Sequence, residues 1–452
     1  MSGGDSRVFV TGLGVVSTVG DSVEAFWDAC QAGCTAVASI PAHWDTYYKA
    51  TSRVWSPLPP LDFARYGIGR TDQLTIPIPA QLALAAAAQA TAQAGLSERF
   101  PSSRASDDRD ASLQAGIFVG TGLGAAAAPF DNHYAHVMSG LREGLRRLAD
   151  AAPDDEVYAE RLAALKAGPR VNPLVICQTM PNAIAAHLAI RHGFRGVAET
   201  SCAACAAGTI AIGKAFRALR RGELDVALAG GAEHLGDRAG SVFMGFDRLQ
   251  TLARPYRELG TENRPFDRHR SGFLFSEGGA AFAVLESERS VIMRDVKPLA
   301  EIVGYGETVD ACSIAAIRAD DNAIRTMIER ALNDAGIPAA DIDYVNAHGT
   351  ATEMNDAIEA DILAETFRSD VLVGSTKSIL GHTIGAAGAL EFVVTVLSLV
   401  RQRVHGCVNL DEPIADLNFC RRSEDARLTY ALTHSFGFGG HNAGLILRRL
   451  QD

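Results

Sequence analysis

The feature that most restricts this fold is a recurring unit. A short run of small and β-branched apolar residues leads into glycines, and a helical pattern follows. Arg7-Val-Phe-Val-Thr-Gly-Leu-Gly14 predicts a strand and a Gly turn, with a helix over Val23–Gln31. Further strands are predicted over Gln114–Gly120, Val197–Thr200, Leu224–Gly231, Gly279–Leu285, Ile342–Ala347 and Val371–Ser375. Helical patterns cover Ala80–Ala94, residues 139–167, Pro181–His192, Ile210–Arg221, Asn322–Ala335, Asp356–Phe367 and Ala386–Arg401. Strands that are apolar at nearly every position are buried on both faces, so the chain predicts α/β layers around buried sheets. Leu299–Gly306 echoes the first strand and its glycines, which divides the chain into comparable halves, 1–296 and 297–452. Residues 41–75, 101–112 and 252–272 read as loops, and Ser435-Phe-Gly-Phe-Gly-Gly440 as a mobile turn.

With 452 residues, 47% of them hydrophobic and 21% charged, the chain has ample material for a large core. A formal charge of -11 argues against a nucleic-acid partner. The start, Met-Ser-Gly-Gly-Asp-Ser-Arg, has neither a basic nor a long apolar region. The apolar run Gly388–Val400 contains Glu391 and is too short to span a bilayer, so no membrane association is expected. Eight cysteines in a chain this long do not make a disulfide scaffold, and a cytoplasmic, reduced protein is expected.

The chemistry centres on Cys205, in Glu199-Thr-Ser-Cys-Ala-Ala-Cys-Ala-Ala-Gly208, between a predicted strand and helix. A helix N-terminus offers free N–H groups and the positive end of the dipole, which favour thiolate. Cys202 and Cys205 form a CxxC, but the nearest analogue, Cys30-x3-Cys34, does not complete a zinc site. Two histidine loops follow, Asn346-Ala-His-Gly-Thr350 and Gly381-His-Thr-Ile-Gly-Ala-Ala-Gly388. Neutral imidazoles at His348 and His382 are suited to stabilising an enolate beside a thioester. Lys377 lies five residues before His382, and Glu391, on an apolar helix, needs a partner for which Lys377 is the obvious candidate. Together these residues point to acyl transfer through a cysteine thioester, with no metal or redox cofactor.

Assembled in order, the motifs resemble those of the elongating β-ketoacyl-acyl-carrier-protein synthases. They are Val10-Thr-Gly-Leu-Gly-Val-Val, Ala-Cys205-Ala-Ala-Gly, Arg264-Pro-Phe-Asp-Arg268, Ala347-His-Gly-Thr350, Ser375-Thr-Lys-Ser, the His382 motif and Phe436-Gly-Phe-Gly-Gly-His-Asn442. The resemblance runs from Val8 to about Ile446. It implies the thiolase fold, two βαβαβαββ halves in a five-layer α-β-α-β-α core, normally dimeric. The first half would carry Cys205 and cap insertions, the second both histidines. Cys205 would accept an acyl group from an acyl carrier protein. The N–H groups of Cys205 and Phe438 would form an oxyanion hole, with Phe438 also acting as a gate. His348 and His382 would bind the malonyl thioester and promote decarboxylation, with Lys377 orienting His348 and Glu391 behind it. The carrier would dock near Arg65, Arg70 and Arg248, and Ile176, Gln178, Met180 and Phe243 would line the acyl pocket.

Three stretches depart from the family pattern. Ser201-Cys-Ala-Ala precedes the nucleophile where the family usually has Ser-Thr-Ala, so Cys202 is extra; His441 stands where threonine is common, and Asp267–Glu277 differs from the usual Asp-Arg-Asp-Gly and Gly-Glu. These departures point to a specialised branch, such as type II polyketide or polyene synthesis. The competing expectation is a chain-length-factor-like partner subunit with little activity alone. Such subunits typically replace the nucleophile, whereas Cys205, His348, His382 and Lys377 are all present. A homodimer and a heterodimer with a related subunit are both compatible with the residues.

Overall fold

The computed structural model describes residues 6–45, 49–96, 114–152, 155–166, 172–315, 317 and 322–451. The predicted loop at 101–112 lies outside them.

Ten strands build the main sheet. In chain order they are β1 Val8–Val16, β2 Ala115–Thr121, β3 Ala198–Cys202, β4 Val226–His234, β5 Gly278–Ser287, β6 Ala300–Val309, β7 Tyr344–Asn346, β8 Leu372–Gly374, β9 Tyr430–Gly437 and β10 His441–Arg449. Their spatial order is β8-β7-β9-β10-β6-β1-β5-β4-β2-β3. Within β1–β5 the order is 3-2-4-5-1, and within β6–β10 the corresponding order is the same. The pairing senses also repeat: β2 lies parallel to β3 and β4, as β7 does to β8 and β9. The last two strands of each half are antiparallel. Three residue pairs, Val8↔Ile302, Phe9↔Glu301 and Val10↔Ala300, join the halves edge to edge.

Four helices complete the layers: α1 Ile78–Gln93, α2 Ala207–Arg220, α3 Ala323–Ala335 and α4 Ala387–Arg401. The largest apolar cluster contains α2, α4 and one face of strands from both halves, which makes α2 and α4 the central layer. A second cluster packs α1 on the outer face of β1–β5, and a third packs α3 on the outer face of the other half. The result is the α-β-α-β-α arrangement expected of a thiolase fold.

Glycines read as turns prove to be strand residues. A Cβ on Gly12 or Gly14 would lie 2.1 Å from Ala90 O or 1.8 Å from Ala86 O, so β1 runs on to Val16 with the Ala-rich α1 directly against its backbone. Gly304 and Gly306 bring β6 onto α3 in the same way, with an added Cβ 2.3 Å from Ala331 O and 2.0 Å from Met327 O. In β4 the strand likewise continues past its glycines to His234. The segment 41–75 is also more regular than expected, with short helices at Ala42–Asp45, Phe63–Tyr66 and Arg70–Thr75. Ser435, Phe436 and Gly437 belong to β9, leaving residues 438–440 for the turn into β10.

One 18-residue stretch, Ile384–Arg401, is long and apolar enough to cross a membrane, longer than the run seen in the sequence. It is 89% buried inside the protein, because α4 sits between the sheets and needs an apolar surface all round.

Candidate active site

Three strands deliver the candidate residues to one place. Cys205 follows β3, His348 follows β7 and Lys377 follows β8, each at the C-terminal end of a parallel strand, where open α/β sheets place their chemistry. His382 comes from the turn that opens α4.

The elbow carrying Cys205 is built on strain and close packing. Ala204 holds a left-handed φ of 47°, and Ile384, at the matching place before α4, holds 49°. Each costs roughly 1–2 kcal/mol in an L-residue and is held by its surroundings. The helices meet at Gly208 and Gly388. A Cβ on Gly208 would lie 2.8 Å from Ala389 N, and one on Gly388 would lie 2.1 Å from Thr209 Oγ1. This crossing brings the two elbows together, so that His382 Nε2 lies 3.0 Å from Cys205 Sγ.

Hydrogen bonds fix both imidazoles in the same tautomer. The Ile384 N–H donates to His382 Nδ1 at 3.3 Å, leaving the hydrogen on Nε2, toward the sulfur. The Lys377 ammonium donates to His348 Nδ1 at 3.1 Å and to His348 O at 2.7 Å, so His348 also carries its hydrogen on Nε2. The rings stand edge to face, with centroids 5.6 Å apart. Burial, reinforced by the nearby Lys377 charge, holds both histidines well below their ordinary range, so both are neutral. Lys377 pairs with Glu391 inside the core, as the sequence suggested. Desolvation raises the Glu391 carboxyl, and the neighbouring ammonium opposes that rise.

The thiol departs from expectation. Burial pushes Cys205 up to about 12, outweighing the lowering influence of Lys377 and of the Phe438 and Cys205 N–H groups that point at the sulfur. The resting nucleophile is therefore a thiol, which must give up its proton in the course of its attack.

A cavity of about 250 Å³ opens over the sulfur, lined among others by Cys205, His348, His382, Phe273, Thr350 and Phe438. Phe438 is half-buried and stacks on Phe246 at 6.4 Å. The Gly437 backbone packs against the elbow so closely that a Cβ there would lie 2.7 Å from Ala203 O. Phe243 belongs to the apolar cluster behind Cys205. Gln178 instead lines a separate cavity, and Ile176 and Met180, on and beside the short surface helix Val175–Thr179, are exposed. Arg65, Arg70 and Arg248 are exposed; Arg65 pairs with Asp21 at 2.9 Å, and Arg248 ends the Ser241–Arg248 helix that carries Phe246.

Several contributors escaped the sequence reading. The long loop before β5 is pinned by Arg264, 1% exposed, on Asp267 and Asp411. Within it, Asn263 Nδ2 donates to Lys377 O at 2.6 Å and Phe273 meets the His382 ring edge-on at 5.2 Å. Glu233, fully buried at the end of β4, accepts N–H bonds from Gly122, Leu123 and Gly385. Its only sequence signal is a carboxylate two residues past the predicted strand Leu224–Gly231.

Profile models of the beta-ketoacyl synthase N-terminal domain and C-terminal domain match residues 5–290 and 299–411. The chain belongs to the beta-ketoacyl synthase family. The 3-oxoacyl-(acyl-carrier-protein) synthase 2 of Vibrio cholerae is 33% identical, over 98% of this chain and 99% of that protein. Among solved structures, the ishigamide ketosynthase/chain length factor superposes with a TM-score of 0.82 at 28% identity, covering 99% of this chain and 100% of that one. A type II polyketide synthase acyl-carrier protein in complex with its ketosynthase, bound to the hexaketide, gives a TM-score of 0.77 at 25% identity, with 99% and 100% coverage. In this beta-ketoacyl synthase the thiol and the two imidazoles line one cavity, and the lysine lies behind His348.

Proposed function

We propose that this protein is a β-ketoacyl-acyl-carrier-protein synthase that joins an acyl group to malonyl-carrier protein. The observation that carries the reading is two neutral imidazoles, each presenting Nε2–H, grouped around a thiol 3.0 Å from one of them.

In the first half-reaction the Cys205 sulfur attacks the carrier-bound acyl carbonyl. The oxyanion rests on the N–H groups of Cys205 and Phe438, the carrier leaves as its thiol, and the acyl group stays on Cys205. Phe438 then moves aside to admit the malonyl thioester. Its carboxylate leaves as carbon dioxide, and the C–C electron pair becomes an enolate stabilised by Nε2–H of His348 and His382. Imidazolium is not needed there, since a neutral donor polarises the oxygen without trapping a carboxylate. The enolate carbon attacks the acyl-Cys205 carbonyl, and collapse of the tetrahedral adduct expels the Cys205 sulfur, which takes a proton from solvent. The product is the 3-oxoacyl carrier, two carbons longer. Lys377 and Glu391 act behind His348 by fixing its tautomer.

The names of the relatives support an acyl-carrier-protein partner and, in one case, type II polyketide synthesis; fatty-acid and polyene synthesis are the other pathways proposed for this chain. Arg65, Arg70 and Arg248 are the docking candidates for that acidic carrier. The division at about residue 297 is supported by the repeated strand order and by the gap between the two matched domains. The expected subunit partner is a second copy of this chain or a related ketosynthase-like subunit. Phe130, Tyr134, Val137, Leu141 and Leu148 stand exposed at three-, four- and seven-residue spacings along helix Ala127–Ala151, which supports such an association.

The test is intact-protein mass spectrometry after mixing the chain with an acyl-carrier thioester, beside Cys205→Ala. An acyl adduct absent from the variant, followed by a carrier-bound product two carbons longer on adding malonyl-carrier protein, supports the reading. Absence of any adduct across a range of chain lengths overturns it.

A further inference from the structure

One buried acid–imidazole pair has no part in the steps above. Glu359, on helix Glu353–Thr366, is 1% exposed, and among the described residues its only basic neighbour within ion-pair distance is His434, 0% exposed. His434 Nε2 lies 2.6 Å from Glu359 Oε1. The same carboxylate accepts the backbone N–H of His348 at 2.6 Å and of Gly349 at 2.8 Å, and Asn355 Nδ2 at 3.2 Å. An enclosed carboxylate holds such a set of donors only while its own position is held. His434 is also stacked on Phe436 at 4.9 Å, and Phe436 in turn meets the His348 ring at 5.3 Å. His434 Nδ1 is buried with no hydrogen-bond partner among the described residues. That orphaned nitrogen costs stability, which leaves the Nε2 bond and the ring stack as what the side chain contributes.

We propose that His434 is a positioning residue for His348. Through Glu359 it anchors the peptide that carries His348, and through Phe436 it braces the imidazole ring. It touches no reacting atom, and Cys205 acylation does not pass through it. The proposal rests on the ketosynthase reading, because its readout is the decarboxylation step.

The experiment compares His434→Ala, His434→Gln and His434→Asn in the full chain. Two rates are measured separately: acyl transfer to Cys205 by intact mass, and conversion of malonyl-carrier to acetyl-carrier without an acyl primer. A small misplacement of a catalytic group costs on the order of 100-fold, so His434→Ala should lower decarboxylation by about that factor while acylation stays within about threefold. A glutamine amide nitrogen reaches the place of Nε2, and an asparagine amide does not. His434→Gln should therefore recover decarboxylation to within about tenfold of the unaltered protein, and His434→Asn should resemble alanine. Decarboxylation unchanged in His434→Ala overturns the proposal. So does an equal loss of both rates, or equal behaviour of the Gln and Asn variants, a comparison that stands even where the alanine variant does not fold. Failure of the unaltered chain to acylate would instead strike at the ketosynthase reading.

Discussion

Replacing Lys377 by methionine separates what the buried ion pair does for stability from what it does for catalysis. The ammonium touches three groups: His348 Nδ1 at 3.1 Å, His348 O at 2.7 Å and the Glu391 carboxylate. With the side chain 3% exposed and Glu391 1% exposed, its loss strands a carboxylate in the core. Breaking a buried pair from one side costs about 3–5 kcal/mol. The same change frees His348 Nδ1, so Nε2 no longer presents its hydrogen reliably to the enolate. Losing one such donor costs about 100- to 1000-fold in rate, or about 3–4 kcal/mol of barrier. Adding Glu391→Leu removes the stranded charge and should return stability to within about 1 kcal/mol, because replacing a whole buried pair by apolar groups is often neutral. Urea unfolding and the malonyl-to-acetyl conversion measure the two effects. Lys377→Met should lose both stability and decarboxylation, and the double variant should regain only stability. Recovery of decarboxylation in the double variant would refute the tautomer argument. A single variant as stable as the unaltered chain would refute the energetic one.

Three further outcomes are expected. Burial raises the Glu233 carboxyl from 4.5 to about 7, so the folded state holds that proton more tightly than the unfolded chain. Its stabilising contribution is complete below about 4.5 and is lost as pH rises through about 7, an interval worth roughly 3 kcal/mol. Relative to Glu233→Gln, the unaltered chain should therefore lose stability between pH 5 and 8, and parallel profiles would contradict this. With the Cys205 thiol pushed up to about 12, its alkylation by iodoacetamide, followed on the Cys205 peptide, should rise about tenfold per pH unit with no plateau below about pH 10. A plateau near neutrality would indicate a resting thiolate. Arg248→Glu should weaken use of a carrier-bound acyl group several-fold more than that of a small soluble thioester; equal effects would remove Arg248 from the docking surface.

The sequence showed best what depends on local pattern. His348 and Lys377 were legible because each follows a strand with a plain apolar run, Cys205 because small residues and a helical pattern surround it, and Glu391 because a carboxylate in an apolar helix demands a partner. Gly12 and Gly14 misled, since a glycine that admits a helix backbone looks the same in sequence as one that turns the chain. The thiol misled too: helix geometry argues for thiolate, but the depth of burial is a tertiary quantity. Glu233, Asn263 and Phe273 could not be placed, because they reach the site across long sequence separations. Ile176 and Met180 were assigned by family position alone and stand on the surface. One signal was overlooked. Cys205-Ala-Ala-Gly208 and Gly385-Ala-Ala-Gly388 are the same elbow in the two halves, with glycine where the other half has the nucleophile.

That kinship bears on when the protein becomes reactive. Cys205 and His382 are 177 positions apart, and the crossing of Gly208 with Gly388 needs both halves folded. During synthesis the first half emerges with its cysteine but without either imidazole, the lysine or the Phe438 N–H. A nascent or truncated chain thus carries its thiol without the groups that would act on a bound thioester, and the site is complete only when the second half has folded against the first.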